Sequence, residues 1–271
     1  MIVVKAGGNS SPEQMEAVCA DVARHVLQGE KVVLVHGASR ETSLVAKQLG
    51  HPPRFVRSVS GTVSRYTDRD TLDIFVMVSA GRINKRVVGR LQQLGANAVG
   101  LCGLDGRLIQ ARRKKALKVL EGDKRKVLRG DYSGRIEQVN AALLHTLLDA
   151  GYTPVVAPLA ISHEGQALNV DGDRVAAAIA VALRAQSLVI LSNVPGLLSR
   201  YPDESSLIAR IAADQVKDHI ERHAEGPMKK KLLGALEAVQ GGVRRAILAD
   251  GREDQPLTRA LHGGGTVVES T

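Results

Sequence analysis

Aromatic residues are scarce in this sequence, which has two Phe, four Tyr and no Trp among 271 residues. Proteins that bind single-stranded nucleic acid stack its bases on aromatic side chains, and this chain offers few such rings. It also lacks helix-turn-helix, zinc-finger and RNP-like signatures. We therefore expect no nucleic acid among its partners, although the formal net charge is +9.

Long apolar segments and cysteines are scarce as well. The sequence has no run of about 18 apolar residues and no charged-then-apolar leader, so we expect a cytoplasmic protein without a membrane partner. Cys19 and Cys102 are the only cysteines, and they lack the spacing of metal ligands. Their apolar neighbours predict two buried thiols rather than a disulfide or a catalytic nucleophile.

Two common nucleotide-binding signatures are absent. Neither G-x-x-x-x-G-K-[ST] nor a strand-borne G-x-G-x-x-G occurs, which argues against P-loop and dinucleotide-binding proteins. No Ser-His-Asp or Cys-His arrangement has a supporting context either. His36, beside Gly37 at the end of a predicted strand, fits a turn or helix-cap histidine better than a catalytic base.

The positive charge is concentrated in two segments. Residues 107–129 contain ten Lys and Arg against Glu121 and Asp123, which accounts for most of the excess. The second segment, residues 54–69, contains four arginines and a single acidic residue, Asp68. The arginines are Arg54, Arg57, Arg65 and Arg69. Such a local excess attracts a polyanion or an acidic protein by long-range steering. A solvated face is the alternative; with so few aromatic rings, an acidic protein fits better than nucleic acid.

Strand-like and helix-like segments alternate along the chain. We predict strands at 2–5, 31–36, 98–101, 153–157, 187–191, 244–249 and 266–269, and helices at 12–28, 41–49, 68–94, 136–150, 172–186 and 229–240, with a loop at 52–66 and a hairpin-like basic region. This order predicts an α/β fold with one continuous, mostly parallel sheet covered by helices on both faces. Ligands then collect at the carboxyl ends of the strands. Because no linker or repeat divides the chain, we expect a single domain over residues 1–271.

Lysine and glycine stand where the first two predicted strands end. Lys5 is followed by Gly7 and Gly8, and His36 is followed by Gly37. Glycines at such turns let a phosphate oxygen approach the backbone N–H groups closely. Two plain strand-to-helix turns are the alternative interpretation.

Further polar groups occur at later turns. Asn169, Asp171 and Asp173 precede an Ala-rich helix and exceed the needs of a single N-cap. The lysines at 229–231 begin a helix, where cations oppose the macrodipole, and this indicates an anionic ligand. These groups suit phosphoryl transfer, which depends mainly on positioning and electrostatic stabilisation. The segment 192–197 suits an adenine or ribose pocket, or is a plain Pro-Gly turn.

The sequence resembles the amino acid kinase family, and within it the acetylglutamate kinases. The matching segments occur in the same order and extend over essentially the full length of the chain. The matching segments are residues 4–8, 35–37, 65–68, 99–106, 136–140, 151–158, 169–173, 192–196, 228–231 and 249–252. The resemblance implies a three-layer αβα sandwich of the carbamate kinase-like type, with an acyl-substrate and carrier lobe at 1–168 and an ATP-binding lobe at 169–271. It also implies ATP and Mg²⁺, with the ion held mainly by the ATP phosphates and no protein metal site.

Within this family the chain looks most like kinases that phosphorylate the side-chain carboxylate of L-2-aminoadipate on an acidic amino-group carrier protein, in bacterial lysine synthesis. The loops at 51–69 and 198–204 and the basic surface carry this likeness. Two alternatives stay open, an N-acetylglutamate kinase of arginine synthesis and a non-catalytic, nucleotide-responsive binding protein. Whether carrier-bound glutamate is also a substrate stays open too.

The resemblance also implies residue roles. Lys5 and Lys231 would neutralise charge on the transferred phosphoryl group, and Asp173 would orient both lysines. Backbone N–H groups of Gly8, Gly37 and Ala38 would meet the phosphoryl group and the substrate carboxylate. The remaining implied contacts are to the substrate from Arg65 and Asn169, and to the phosphates or nucleotide from Gly7, Ser192, Asn193, Gly196 and Leu197. The attacking carboxylate is already ionised near neutral pH, so no general base is required.

Two positions depart from the acetylglutamate kinases. Many of those have three glycines where this chain has Gly37, Ala38 and Ser39, which is consistent with a different acyl partner. They also have an aspartate where this chain has Asn193, so its nucleotide contacts stay open. The sequence begins at its first strand, without the N-terminal helix of the arginine-inhibited, hexameric relatives. We therefore expect a homodimer without arginine feedback.

Overall fold

The computed structural model describes residues 1–59, 61, 63–122 and 124–270. Asp123, counted above in the basic segment, and residues 60 and 62 of the predicted 52–66 loop lie outside this description. The described strands are β1 (Ile2–Ala6), β2 (Val32–His36), β3 (Phe55–Ser58), β4 (Val63–Arg65), β5 (Ala98–Cys102), β6 (Ile109–Arg113), β7 (Leu117–Glu121), β8 (Lys124–Leu128), β9 (Gly134–Val139), β10 (Thr153–Ala157), β11 (Leu159–Ile161), β12 (Ala167–Asn169), β13 (Ser187–Ser192), β14 (Arg210–Ala212), β15 (Arg245–Asp250) and β16 (Thr266–Glu269).

The described α-helices are α1 (Pro12–Leu27), α2 (Ser39–Gln48), α3 (Arg69–Val76), α4 (Asn84–Gln93), α5 (Ala141–Asp149), α6 (Gly172–Ala182), α7 (Val216–His223), α8 (Gly226–Gln240) and α9 (Pro256–Leu261). A π-helical segment, Met77–Ile83, joins α3 to α4. Short 3₁₀ turns occur at Asp105–Arg107, Glu204–Ser206 and Ala213–Gln215.

The centre of the fold is an eight-stranded sheet in the order β14-β16-β15-β13-β1-β2-β10-β5. Its described pairings are parallel apart from that of β15 with β16. Every residue of β1, β2 and β10 is buried, as expected for strands covered on both faces. One core cluster packs the sheet against α5, α6 and α8, and a second packs it against α1, α4 and α9. The predicted three-layer αβα sandwich with a mostly parallel sheet is confirmed.

The turns that follow neighbouring strands meet at one edge of this sheet. In register, Ala6 of β1 lies between His36 of β2 and Leu191 of β13. The turn after β1 therefore leaves the sheet beside Gly37 and beside the loop that follows β13. This is the carboxyl edge of the parallel strands, where α/β proteins bind ligands.

Two smaller sheets, in the orders β12-β11-β6-β9 and β4-β3-β7-β8, are built from segments between the strands of the main sheet. The prediction of one continuous sheet therefore holds for the main sheet only. The basic segment 107–129, predicted as hairpin-like, contributes β6 and the β7–β8 hairpin. The predicted loop at 52–66 contains the antiparallel pair β3–β4.

Four predicted helices need correction. The helix predicted at 229–240 begins at Gly226, so the lysines at 229–231 do not begin it, and the helix predicted at 172–186 ends at Ala182. The helix predicted at 136–150 begins at Ala141, because residues 136–139 belong to β9 and pair with β6. Asn140 caps it, accepting a hydrogen bond from the N–H of Leu143. The helix predicted at 68–94 consists of α3, the π-helical segment and α4, with Asp68 as its N-cap. The sequence did not predict α7, α9, β11, β12 or β14.

The two cysteines are buried and free, as predicted. Burial raises the pKa of Cys19 to about 12 and the pKa of Cys102 to about 11. Thiols with such pKa values form little thiolate near neutral pH and are therefore unreactive. Among the helices that the structure describes, none combines the length and the apolar character needed to cross a membrane.

Candidate active site

Three charged side chains from separate elements meet at the carboxyl edge of the main sheet. Lys5, in β1, places its Nζ 2.7 Å from Oδ1 of Asp173, near the start of α6. Lys231, in α8, places its Nζ 3.2 Å from Oδ2 of the same carboxylate. Asp171 caps α6 by accepting hydrogen bonds from the N–H groups of Asp173 and Arg174, which fixes the first turn of that helix. One carboxylate therefore holds two ammonium groups side by side.

This cluster is buried and carries one more positive than negative charge. Lys5 and Asp173 are 6% and 8% exposed. Burial alone would raise the pKa of the Asp173 carboxyl, but the two lysine charges and their hydrogen bonds hold it well below its usual range. Burial and the charge of Lys5 lower the pKa of Lys231, and the charge of Asp173 opposes this shift. The charge of the nearby Asp171 also acts on Lys231. An anion against the two ammonium groups would add negative charge to that of these carboxylates.

Backbone packing explains the glycines of the two strand-end turns. A Cβ on Gly37 would lie 2.3 Å from the Cα and N of Gly8, and a Cβ on Gly8 would lie 2.9 Å from the N of Ser39. The two turns therefore touch backbone to backbone. The Gly37 N–H donates to the carbonyl of Ala6 at 2.9 Å, so it is engaged within the protein, contrary to its implied role. No described residue accepts a hydrogen bond from the N–H groups of Gly8 or Ala38, which stay suited to an anion.

Arg65, at the end of β4, reaches back to α2. Its Nη2 donates to the carbonyl of Ser39 at 3.1 Å and to the hydroxyl of Ser43 at 2.9 Å. Its guanidinium carbon lies 5.1 Å from the centre of the Phe55 ring, and burial lowers the pKa of the group. The Nη1 of Arg65 is buried and has no hydrogen-bond partner among the described residues. A buried donor without an acceptor is costly, so this guanidinium is suited to bind a carboxylate.

Asn169, at the end of β12, belongs to a network that the sequence analysis missed. Its Nδ2 donates to Oγ1 of Thr67 at 2.9 Å, and its N–H donates to the carbonyl of Tyr132. The Thr67 N–H in turn donates to the buried carboxylate of Asp131 at 2.9 Å, which also accepts from the N–H of Ser133. An aspartate that bonds the N–H two residues on is a turn signal in sequence. Its contact with Thr67, 64 residues away, has no such signal.

A cavity of about 1280 Å³ brings most of the predicted site residues together. Those that line it are Lys5, Gly8, Gly37, Ala38, Arg65, Asn169 and Asp173. Lys231 adjoins it through its contact with Asp173. Gly7 lines a separate cavity of about 330 Å³ that shares Gly8 and Gly37 with the first. With ammonium groups at one place and a guanidinium at another, the larger cavity can bind a compound with two anionic ends.

The predicted residues of the 192–197 segment lie outside the lining of this cavity, on the loop after β13. Gly196 and Leu197 are buried: a Cβ on Gly196 would lie 2.5 Å from Oγ1 of Thr266, and the Leu197 N–H donates to that oxygen at 2.8 Å. Ser192 is half-buried and Asn193 is exposed. Gly196 and Leu197 therefore shape the loop, while Ser192 and Asn193 are the members accessible to a ligand.

His36 ends β2 and is fully buried. In the tautomer that satisfies both contacts, its Nδ1 donates to the carbonyl of Gly37 at 3.2 Å and its Nε2 accepts from the amide of Asn84 at 3.2 Å. Burial lowers its pKa to about 4, so the ring is neutral near pH 7. His36 is therefore a structural residue at the strand end, and not a base.

Comparisons with known proteins agree with this geometry. The family model described as "Amino acid kinase family" matches residues 1–250. A protein of Deinococcus radiodurans named "[LysW]-aminoadipate kinase" is 56% identical over 268 residues, which cover 99% of this chain and 91% of that protein.

Solved structures share the fold. N-acetylglutamate synthase from Neisseria gonorrhoeae, complexed with coenzyme A and N-acetyl-glutamate, matches with a TM-score of 0.82 at 27% identity, and this chain spans only 59% of that longer chain. Carbamate kinase from Giardia lamblia bound to AMP-PNP matches with a TM-score of 0.69 at 16% identity, over 100% of this chain and 98% of that one. The predicted carbamate kinase-like fold is confirmed, and the chain belongs to the amino acid kinase family.

Proposed function

We propose that the chain is a kinase that uses ATP to phosphorylate the side-chain carboxylate of L-2-aminoadipate while the amino group of that compound is attached to an acidic carrier protein. The observation that carries this proposal is the buried Lys5–Asp173–Lys231 cluster beside a cavity that also contains Arg65. The 56% identity to a protein named as an aminoadipate kinase supports it. The product is an acyl phosphate for lysine synthesis.

The reaction requires little covalent chemistry from the protein. A carboxylate oxygen of the aminoadipate side chain attacks the γ-phosphorus of ATP, and the bond between that phosphorus and the β–γ bridging oxygen breaks to release ADP. Lys5 and Lys231 stabilise the negative charge on the phosphoryl and bridging oxygens. Asp173 keeps the two ammonium groups side by side. Because the attacking carboxylate is already ionised, the buried His36 needs no role as a base.

The charges of the site fit a nucleotide that brings its own magnesium ion. Both carboxylate oxygens of Asp173 contact lysines, so neither is free to hold a metal. Within the described ranges, no three His, Cys, Asp or Glu side chains are grouped as metal ligands. Mg²⁺ would therefore be held mainly by the ATP phosphates, whose charge it neutralises in part. In this proposal Ser192 and Asn193 border the nucleotide, residues 169–271 form the ATP-binding lobe, and residues 1–168 form the acyl-substrate and carrier lobe.

Arg65 and Asn169 receive the other end of the substrate. The free Nη1 of Arg65 would pair with the α-carboxylate of aminoadipate, because a guanidinium matches a carboxylate in geometry as well as in charge. Asn169 lines the same cavity, and its side chain is oriented by Thr67. The amide bond to the carrier lies next to the α-carboxylate, so the carrier would approach from this side.

We also propose that the sheet β4-β3-β7-β8, here named the basic sheet, docks the carrier. Strand pairing places Arg57, Leu120 and Arg125 on one face, together with Lys118 and Val127. The charged members of this set and Val127 are exposed. The fold thus brings cations from both basic segments onto one face. A small free substrate would not need such a face, whereas an acidic protein is attracted to it.

The proposed function is tested by an ATP-consumption assay with three acceptors: aminoadipate on its carrier, glutamate on the same carrier, and free N-acetylglutamate. We expect turnover with carrier-bound aminoadipate, and hydroxylamine should trap its acyl phosphate. Phosphorylation of free N-acetylglutamate as the preferred acceptor would identify the chain as an acetylglutamate kinase instead. If no acceptor yields an acyl phosphate, the proposal fails and the alternative of a nucleotide-responsive binding protein is favoured.

We also propose that the chain forms a homodimer and that arginine does not inhibit it. Light scattering should give the mass of two chains at assay concentrations, and added arginine should leave turnover unchanged. The mass of a single chain, or inhibition by arginine, would contradict this part alone.

A further inference from the structure

A lysine next to the charged cluster makes a contact across the main cavity. Lys230, in α8, donates from its Nζ to the main-chain carbonyl of Val63 at 2.9 Å, although 167 residues separate them. Val63 begins β4, and Arg65 ends it. Both Lys230 and Val63 line the cavity. The contact therefore joins the helix that carries Lys231 to the hairpin that carries Arg65.

The β3–β4 hairpin is a suitable target for such a contact. β4 is an edge strand of the basic sheet, so its outer carbonyls are available to a donor. On the other side, β3 pairs with β7 at Arg57 and Ser58, and the N–H of Val59 donates to the carbonyl of Lys118 at 3.2 Å. This ladder is shorter than the five-residue pairings of β1 in the main sheet, so the hairpin has fewer backbone hydrogen bonds to lose when it opens locally.

Adjacent positions on a helix point in directions about 100° apart, since an α-helix has about 3.6 residues per turn. Lys231 uses one of these directions to reach Asp173, and Lys230 uses the next to reach Val63. The same turn of α8 therefore serves both ends of the cavity. One ammonium group belongs to the phosphoryl end, and the other holds the backbone beside the carboxylate-binding arginine.

We propose that Lys230 is a positioning residue that holds the β3–β4 hairpin over the cavity and thereby places Arg65 for the substrate carboxylate. The placing of Arg65 for a substrate carboxylate rests on the proposed function, whereas the contact of Lys230 with Val63 does not. Since Lys230 acts on substrate binding and Lys231 on phosphoryl transfer, loss of Lys230 affects KM for the acyl acceptor and spares kcat.

The test compares Lys230→Ala with Lys230→Arg and with Lys229→Ala. Lys229 lies on the same turn of the helix but is exposed and outside the lining of the cavity, so it does not share the anion-binding role expected for the lysines at 229–231. Its variant therefore makes the same change of charge without removing the contact. For Lys230→Ala we expect KM for the acyl acceptor to rise about three- to tenfold, with kcat and KM for ATP within about twofold of wild type. Lys230→Arg should recover most of the loss, and Lys229→Ala should match the wild type.

Hydrogen exchange of β3 (Phe55–Ser58) and β4 (Val63–Arg65), measured without any substrate, gives an independent readout. Lys230→Ala should exchange faster there than Lys229→Ala, because the hairpin opens more often. Equal exchange in the two variants would overturn the holding role, whatever the substrate is. A fall in kcat or a rise in KM for ATP, with KM for the acceptor unchanged, would place Lys230 at the phosphoryl end and also overturn the proposal. If the wild type phosphorylates no acceptor, the proposed function fails, while the exchange comparison still decides the hairpin contact.

Discussion

Removal of the Lys5 ammonium group tests the charged cluster most directly. Lys5→Met keeps a long, unbranched side chain and deletes the group whose Nζ lies 2.7 Å from Asp173. Loss of a single preorganised electrostatic donor costs about 2.7–4 kcal/mol in the transition state, which corresponds to a fall in kcat of about 10²- to 10³-fold. We expect a fall of this size for Lys5→Met and for Lys5→Ala, with smaller changes in both KM values.

The same substitution changes stability in a way that depends on pH. Burial raises the pKa of Asp173, but Lys5 and Lys231 outweigh it and lower that pKa below its usual range. The carboxylate therefore contributes stability above its unfolded pKa of about 4, and this contribution is lost as the pH falls through the folded pKa. Without Lys5 the pKa is lowered less. The deficit of the variant in free energy of unfolding should thus be larger at pH 7 than at pH 3.

The loss in free energy of unfolding caused by Lys5→Met is limited by the ion pair that Asp173 retains. Asp173 keeps Lys231 at 3.2 Å, so the loss should stay below the roughly 3–5 kcal/mol seen when a buried charge loses its only partner. Turnover is measured as ADP release, and stability by urea unfolding at both pH values, with the exposed Lys229→Ala as the control. A folded Lys5→Met enzyme with kcat within about tenfold of wild type would refute the role in phosphoryl transfer. Equal deficits at pH 7 and pH 3 would refute the electrostatic account of Asp173.

Three further predictions concern the substrate end, the glycine turns and the basic sheet. Arg65→Ala should raise KM for the acyl acceptor about 10- to 100-fold, because a charged hydrogen bond contributes about 1.5–3 kcal/mol; an unchanged KM would mean that its Nη1 does not meet the substrate. Gly37→Ala should abolish turnover, since its Cβ would lie 2.3 Å from the Gly8 backbone, whereas Gly89→Ala, with nothing within 4 Å, should be fully active; an active Gly37→Ala enzyme would contradict the packing argument. KM for the carrier should rise with salt while KM for ATP changes little, because exposed charges are screened over about 8–10 Å; a parallel rise of both would count against docking on the basic sheet.

Features encoded by neighbouring residues could be predicted from the sequence. The strands β1, β2, β10 and β13 are short aliphatic runs between turn signals, and α1 begins with a capping box at Ser11 followed by Pro12. The residues of the charged cluster could be selected for the same reason. Lys5 stands where a buried strand ends, and Asp173 stands where a helix begins, so topology alone brings them to one edge.

Features decided by a distant partner could not be predicted. Residues 136–139 precede a true helix and were predicted to belong to it, but pairing with β6 makes them a strand. The segment 52–66 was predicted as a loop from its Arg, Ser and Gly content, yet β3 and β4 pair with each other there, and β3 also pairs with β7. The engaged N–H of Gly37 and the contact of Lys230 with Val63 also depend on register and on packing between elements. Neither the hydrogen bond of the Gly37 N–H nor the contact of Lys230 is indicated by the residues next to it in the sequence.

Two charge imbalances mark the ends of the main cavity. At one end, two ammonium groups face one carboxylate. At the other, the partners of Arg65 among the described residues are neutral: a carbonyl, a hydroxyl and an aromatic ring. Uncompensated buried charge costs free energy, so both ends favour an anion. A dicarboxylic amino acid meets this condition once its amino group is an amide, because the amide removes the positive charge that Arg65 would repel. An acetylated amino acid meets it equally well. The cavity therefore accounts for a ligand with two anionic ends, and under the proposed function the basic sheet would distinguish a carrier-bound substrate from a free one.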